Sequence, residues 1–118
     1  MSCSVFRIDG DIIKSTQTDK CDFVALINYD DSWGEIFIEL KGGKIAHAIK
    51  QIESTITSHL FRNTVRNFRK ARIVTANRIP VNTGNSIIER AKVDFKKMGC
   101  DLRAIKSFQP EVIKKEDF

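Results

Sequence analysis

Two runs dense in β-branched and aromatic residues, 21-CDFVALINY-29 and 35-EIFIELK-41, stand either side of the turn-like cluster 30-DDSWG-34. Runs of this kind around a polar, glycine-bearing break predict a β-hairpin. With residues 30–33 as the turn, Tyr29 faces Gly34. Antiparallel pairing then sets Phe23 opposite Leu40, Val24 opposite Glu39 and Asp22 opposite Lys41. Directly opposed residues share a face of the sheet. One face becomes Phe23, Ala25, Ile27, Ile36, Ile38 and Leu40, apolar throughout; a slip of one residue would mix the faces, so the pattern supports the pairing. The other face carries Val24, Leu26 and Phe37, with Asp22, Glu39 and Lys41 gathered at one end.

The rest of the chain supplies elements that such a hairpin can pack against. After Gly42 and Gly43, the residues Ile45, Ile49, Ile52, Ile56 and Leu60 recur at spacings of three and four, which predicts an amphipathic helix. A first strand is expected over 4–9 and another over 71–79, the latter stopped by Pro80. A second helix follows. Ser86 and Glu89 form its capping box, Ile87, Ile88, Ala91, Phe95 and Met98 its apolar face, and Gly99 its C-terminal cap. Residues 101–107 read as a last strand, and 108–118 as a polar tail. Three strands, a helix, a strand, a helix and a strand make an α/β domain with a mixed sheet: a β-meander, then a βαβ unit, then a further α-β. Residues 1–107 form a single domain on this reading.

Composition bounds the function classes. A chain of 118 residues with 42% hydrophobic content can bury a core without disulfides or metals. Cys3, Cys21 and Cys100 are odd in number and fit no CxxC spacing, so reduced thiols are expected. His47 and His59 lack cysteine partners at ligand spacing, which argues against zinc. No run approaches the roughly 18 apolar residues of a membrane span. The start, MSCSVFRIDGD, lacks the basic-then-apolar layout of a signal peptide, so a cytoplasmic protein without a membrane partner is expected. Charge is unevenly spread. Residues 1–59 hold six Lys/Arg against nine Asp/Glu, a balance of −3, and residues 60–118 hold fourteen against six, a balance of +8. An acidic front and a basic back suit a protein that holds a cation in one place and a polyanion in another; a solvated basic surface is the plainer reading.

Two carboxylates and a lysine at a strand end have a chemical meaning. Hard oxygen ligands from Asp22 and Glu39 can hold Mg²⁺ while other positions stay open to water and phosphate. The ion acidifies water and polarises a phosphoryl oxygen, and Lys41 can position the nucleophile or offset transition-state charge. The alternative is a Glu39–Lys41 ion pair on a solvated face with an incidental aspartate. Asp30 and Asp31 are rival carboxylates but stand too far away. Even Glu35 is about 13 Å from Glu39 along a strand.

The elements Asp22, then 39-ELK-41, resemble the signature of the PD-(D/E)xK, or restriction-endonuclease-like, nuclease superfamily, with Cys21 standing in the place of the signature's proline. The superfamily core of helix, three strands, helix and strand is similar to the order expected here from about residue 4 to 77, apart from its first helix. The resemblance implies a Mg²⁺-dependent phosphodiesterase acting on DNA, with Mn²⁺ able to substitute. It implies Asp22 and Glu39 as metal ligands, the Leu40 carbonyl as a further ligand, and Lys41 as the catalytic lysine. Gln51, ten residues after Lys41, falls where many members carry a helix glutamine near the site; an ordinary helix-surface glutamine is the other reading. A homodimer is the expected assembly, because cutting a two-stranded substrate usually takes two sites. A non-catalytic nucleic-acid-binding or protein-interaction module on the same fold is the rival function.

The segment 62-RNTVRNFRKAR-72 completes the candidates. If the first helix continues through it, Arg62, Arg66 and Arg69 share a face. With Lys70 and the aromatic Phe68 they suit phosphate contact and base stacking. The plainer reading is a basic helix end that complements the dipole. Arg78, where a strand gives way to 80-PVNTGN-85, is a further candidate contact. Trp33 reads as a packed turn anchor, and Cys21 as a core residue on the apolar face.

Overall fold

The computed structural model describes residues 1–8, 21–41, 45–58, 60–64, 66–75, 83–106 and 111–118. Its elements are β1 (Ser2–Arg7), β2 (Phe23–Tyr29), β3 (Ser32–Lys41), α1 (Ile45–Ile56), β4 (Phe68–Thr75), α2 (Thr83–Lys97), β5 (Asp101–Lys106) and a short 3₁₀ turn, Lys115–Asp117. The order of strands and helices is the expected one. The five strands lie in one sheet in sequence order. β1, β2 and β3 are mutually antiparallel, while β4 runs parallel to β3 and β5 parallel to β4. Successive crossovers of one hand that step the same way across a sheet put their helices on one face. Accordingly α1 (Ile45, Ala48, Ile49, Ile52, Ile56) and α2 (Ile88, Ala91, Phe95) share one core with Val24, Phe37, Ala71, Ile73 and Leu102 of the sheet.

The hairpin register differs from the expected one by two residues. Tyr29 pairs with Ser32 and Phe23 with Ile38, so the turn is Asp30 and Asp31 alone. Asp30 takes a left-handed φ of 54°, which aspartate tolerates better than most residues. A two-residue connection of this kind matches the twist of the flanking strands better than the four-residue turn expected from 30–33. An even shift leaves every side chain on its expected face. It does change who meets whom: Asp22 moves from beside Lys41 to beside Glu39.

Other boundaries moved for local reasons. α1 stops at Ile56, after which the chain tightens: the Ser58 N–H and hydroxyl both donate to the Thr55 carbonyl three residues back, at 3.2 and 2.6 Å. Leu60, expected in its apolar stripe, is 48% exposed. The helix does not continue into the basic segment. Residues 60–63 form turns, and β4 starts at Phe68, three residues before the expected 71. Ser86 lies inside α2, which begins at Thr83, so it is not the expected cap. Gly99 is the expected one. Its φ is 73°, and Cys100 N–H donates to the Phe95 carbonyl (2.9 Å) while Gly99 N–H donates to Lys96 (3.0 Å), a Schellman ending.

The sheet face away from the helices is covered by the C-terminal segment, which does more than the expected polar tail. Ile113 and Phe118 pack on Ala25, Ile27 and Ile36, and the Phe118 ring meets those of Tyr29 and Phe68. Glu111 accepts two bonds from the Arg72 guanidinium, at 2.8 and 3.0 Å. Asp117 and Glu111 both lie 3.6 Å from the Lys70 amine. Charged ends and apolar rings together hold eight residues across the sheet.

Candidate active site at the carboxyl end of the parallel strands

β3, β4 and β5 end together at Lys41, Thr75 and Lys106, paired in register. The start of β2 and the end of β1 lie at the same end of the sheet. The Ile8 N–H donates to the Asp22 carbonyl at 2.9 Å. The carboxyl ends of parallel strands are where open α/β sheets bind their ligands.

Asp22 and Glu39 meet here through reciprocal hydrogen bonds. The Asp22 N–H donates to Glu39 Oε1 at 3.0 Å, and the Leu40 N–H donates to Asp22 Oδ2 at 2.9 Å. Each carboxylate is thus oriented by the backbone of the other's strand. Glu39 is 2% exposed, Asp22 half-buried, and the Leu40 side chain 53% exposed. Two carboxylates this close, one of them buried, demand positive charge beside them. Lys41 closes β3 opposite Thr75, two residues beyond Glu39, and is described by its backbone.

Behind the pair stands a residue that sequence patterns did not single out. Thr55 is fully buried on α1. Its hydroxyl accepts the Cys21 N–H at 2.9 Å and donates to the Gln51 carbonyl at 2.8 Å. The chain leading into Asp22 is therefore tied to the helix. Gln51 itself is half-buried, one turn from Thr55. Cys21 is core, as expected, but packs toward the helices rather than on the other face. Burial pushes its thiol up to about 12, against the pull of Thr55 and with a further push from Glu39 and Asp22. It is a neutral thiol at physiological pH.

Two carboxylates with a neighbouring backbone carbonyl suit Mg²⁺, which keeps several waters and takes one or two carboxylates together with substrate phosphates. Among the described residues no group of three or more His, Cys, Asp and Glu side chains stands close enough to hold a metal, so a side-chain cage of the zinc kind is not formed by them.

The basic candidates are dispersed. Arg69, expected on a helix surface, is a strand residue buried on the helix side. It is bonded to Glu35 Oε1 through Nε (2.9 Å) and Nη2 (2.8 Å), and to the Phe61 carbonyl (2.7 Å). Arg66 sits 3.6 Å from the same carboxylate. Thr64 donates to Glu35 Oε2 at 2.8 Å and completes the cluster. Lys70 is turned to the tail, and Phe68 packs on Phe118 rather than standing open for a base. Arg62 is exposed, and Arg78 lies outside the described residues. Trp33 is 46% exposed, not a packed anchor, although its backbone N–H donates to Asn67 Oδ1 at 3.1 Å. A Glu thirty-four residues before an Arg was the signal for the buried pair, but only the strand register brings them together.

No helix among the described residues is long and apolar enough to cross a membrane. No protein-family model, curated protein or solved structure matches the chain.

Proposed function

We propose that this chain is a Mg²⁺-dependent phosphodiesterase acting on DNA, built on a restriction-endonuclease-like arrangement of its meander and crossover. The observation that carries the reading is the pair Asp22–Glu39, locked side by side by backbone N–H groups where three parallel strands end. Asp22, Glu39 and the Leu40 carbonyl would hold the ion, which supplies an acidified water and a polarised phosphoryl oxygen. The reciprocal bonds fix the carboxylate planes before any ligand arrives, so little reorganisation is needed on binding. Lys41 contributes a compact cation for the charge developing on phosphoryl oxygens. Gln51 and Thr55 support the site from α1. The resemblance of Asp22…Glu39-x-Lys41 to the PD-(D/E)xK signature supports the same roles. A homodimer would present two such sites to a duplex.

The test uses purified protein with Mg²⁺ or Mn²⁺ on single-stranded, duplex and branched DNA. Glu39→Gln keeps an oxygen to accept the Asp22 N–H but removes the charge. Loss of an outer partner of a metal already costs 10–100-fold, so at least about a hundredfold loss of cleavage is expected. Cleavage unchanged in that variant would refute the assignment. A second reading is favoured by the same two hydrogen bonds: Asp22 and Glu39 serve as a clasp between β2 and β3, and the chain binds nucleic acid without cutting it. That reading predicts salt-sensitive DNA binding in every metal with no product.

A further inference from the structure

The basic charge that the sequence concentrates after residue 60 falls into two populations in the fold. Arg66, Arg69, Lys70 and Arg72 are turned onto Glu35, Glu111, Asp117 and Asp101 and are largely consumed inside the molecule. Lys92, Lys96 and Arg103 are not. Lys92 and Lys96 are four apart on α2 and so share one side of it, and Arg103 projects from β5. They border a cleft of about 850 Å³ where β4 and β5 begin, the end of those strands away from the carboxylate pair. Lys70 also reaches it, and Asp101 is the acidic residue of its lining.

The competing charges are weak ones. Lys92 pairs with Glu89 at 3.1 Å and Arg103 with Asp101 at 3.3 Å, but both pairs stand well out in solvent. Exposed ion pairs of this kind are readily exchanged for a better anion. The negative end of α2 points here too, and Lys96 and Lys97 in its last turn offset it. At Gly99 the backbone is open: a Cβ built there would meet nothing within 4 Å. A bulky, multiply charged anion thus finds room, several solvent-facing cations and an unobstructed backbone edge.

We infer that this cleft grips phosphate groups of the nucleic-acid strand that is cut at Asp22 and Glu39, an inference that rests on the phosphodiesterase reading for its choice of ligand. The spacing suits a strand. The cleft lies about three residues back along the sheet and two strands across from Glu39, about 10 Å in each direction, hence about 14 Å away. At about 3.4 Å of axial rise per nucleotide, about four nucleotides join the two places. The exposed cations of the footprint therefore lie on α2 and the start of β5, while residues 67–70 of the basic segment line the cleft beside them.

The experiment measures fluorescence anisotropy of a labelled single-stranded 20-mer with full-length protein, without divalent metal, over a range of NaCl. Lys92→Glu, Lys96→Glu and Arg103→Glu are combined in one variant, Lys96 and Arg103 being exposed and Lys92 half-buried, and Arg62→Glu serves as the comparison. The combined variant is expected to bind at least about thirtyfold more weakly. Its salt slope should fall by about 2, as for three phosphate contacts at about 0.7 each. Arg62→Glu should change affinity by less than about threefold. Binding by the combined variant equal to wild type overturns the cleft, whatever becomes of cleavage, and so does the absence of DNA binding by wild type at low salt. Binding lost in the combined variant while wild type cleaves nothing in Mg²⁺ or Mn²⁺ leaves the cleft standing and removes the phosphodiesterase reading. Inorganic pyrophosphate is the second probe. Weak competition, abolished in the combined variant, supports recognition of phosphates along a strand; competition as tight as the 20-mer's own binding overturns the strand in favour of a free phosphate ligand.

Discussion

Arg69→Met isolates the most heavily bonded charge in the fold. The Arg69 side chain is 2% exposed and that of Glu35 5%. The substitution removes both bonds to Glu35, the bond to the Phe61 carbonyl and the 3.0 Å contact to Thr64 Oγ1. It also withdraws the cation from over the Phe37 ring, 5.4 Å away. Breaking a buried pair from one side costs about 3–5 kcal/mol, because the surviving charge is left in a poor solvent. Arg66, 3.6 Å from Glu35 and partly exposed, can swing inward, which favours the lower end of that range. At this chain length about 1 kcal/mol corresponds to about 4 °C, so the melting temperature should fall by about 12 °C or more. Thermal and urea unfolding by circular dichroism measure it. The double variant Glu35→Leu/Arg69→Met removes both charges and should recover most of the loss. A single variant costing under about 1 kcal/mol would refute the reasoning, as would a double variant worse than the single one.

Three further outcomes follow from packing and hydrogen bonding. Gly34 faces Phe68 so closely that a Cβ would run into the ring, so Gly34→Ala should destabilise by about 1–3 kcal/mol in chemical unfolding and disturb the Phe68–Phe118 contact. Thr55→Val strands the buried Cys21 N–H and should cost about 1–3 kcal/mol, whereas Thr55→Ser, which keeps the hydroxyl bridge, should cost clearly less. Burial alone would raise the Glu111 carboxyl, but the Arg72 fork, helped by Lys70, outweighs it and holds the group below its ordinary 4.5. A depressed folded value means that the stabilisation is complete above about 4.5 and is lost as pH falls through the lower folded value. Protection of the amides in residues 111–118, taken relative to their intrinsic exchange rates at each pH, should fall over that acid range, and Glu111→Gln should show low protection already at neutral pH.

The legible parts of this chain were those in which one period dominated. The apolar alternation of 23–27 and 36–40 gave the hairpin and its faces, and the three-and-four spacing of Ile45, Ile49, Ile52 and Ile56 gave α1. The pairing was placed two residues off because both turns keep the same faces; alternation cannot tell them apart, and the left-handed Asp30 decides. Residues 71–75 read as strand, but 68-FRK-70 before them misled, because all three are cationic or aromatic and also fit a helix surface. In the fold the whole of 68–75 alternates, with Arg69, Ala71, Ile73 and Thr75 toward the helices and Phe68, Lys70 and Arg72 toward the tail. The partners that make those cations tolerable, Glu35 and Glu111, are thirty-four and thirty-nine residues distant. No local pattern carries that information.

The charge asymmetry of the sequence reads differently once those pairings are known. Glu35 offsets Arg69 and is approached by Arg66, while Glu111 and Asp117 offset Lys70 and Arg72, so much of the basic excess in 60–75 serves to fasten a loop and the tail to the sheet. Asp22 and Glu39 are placed differently. Glu39 accepts the Asp22 N–H and Asp22 accepts the Leu40 N–H, bonds that orient a carboxylate without neutralising it. A brace between β2 and β3 alone could be made by neutral side chains at lower desolvation cost. Keeping two charges together there, at the end of the sheet where three parallel strands stop, makes physical sense if a cation and a polar ligand complete the arrangement. A fold in which Asp22→Asn/Glu39→Gln is more stable than wild type, by unfolding in metal-free buffer, and in which added Mn²⁺ raises the melting temperature of wild type alone, is the signature of that trade. A double variant less stable than wild type, with no metal-dependent shift in either, would instead make the pair a structural clasp and nothing more.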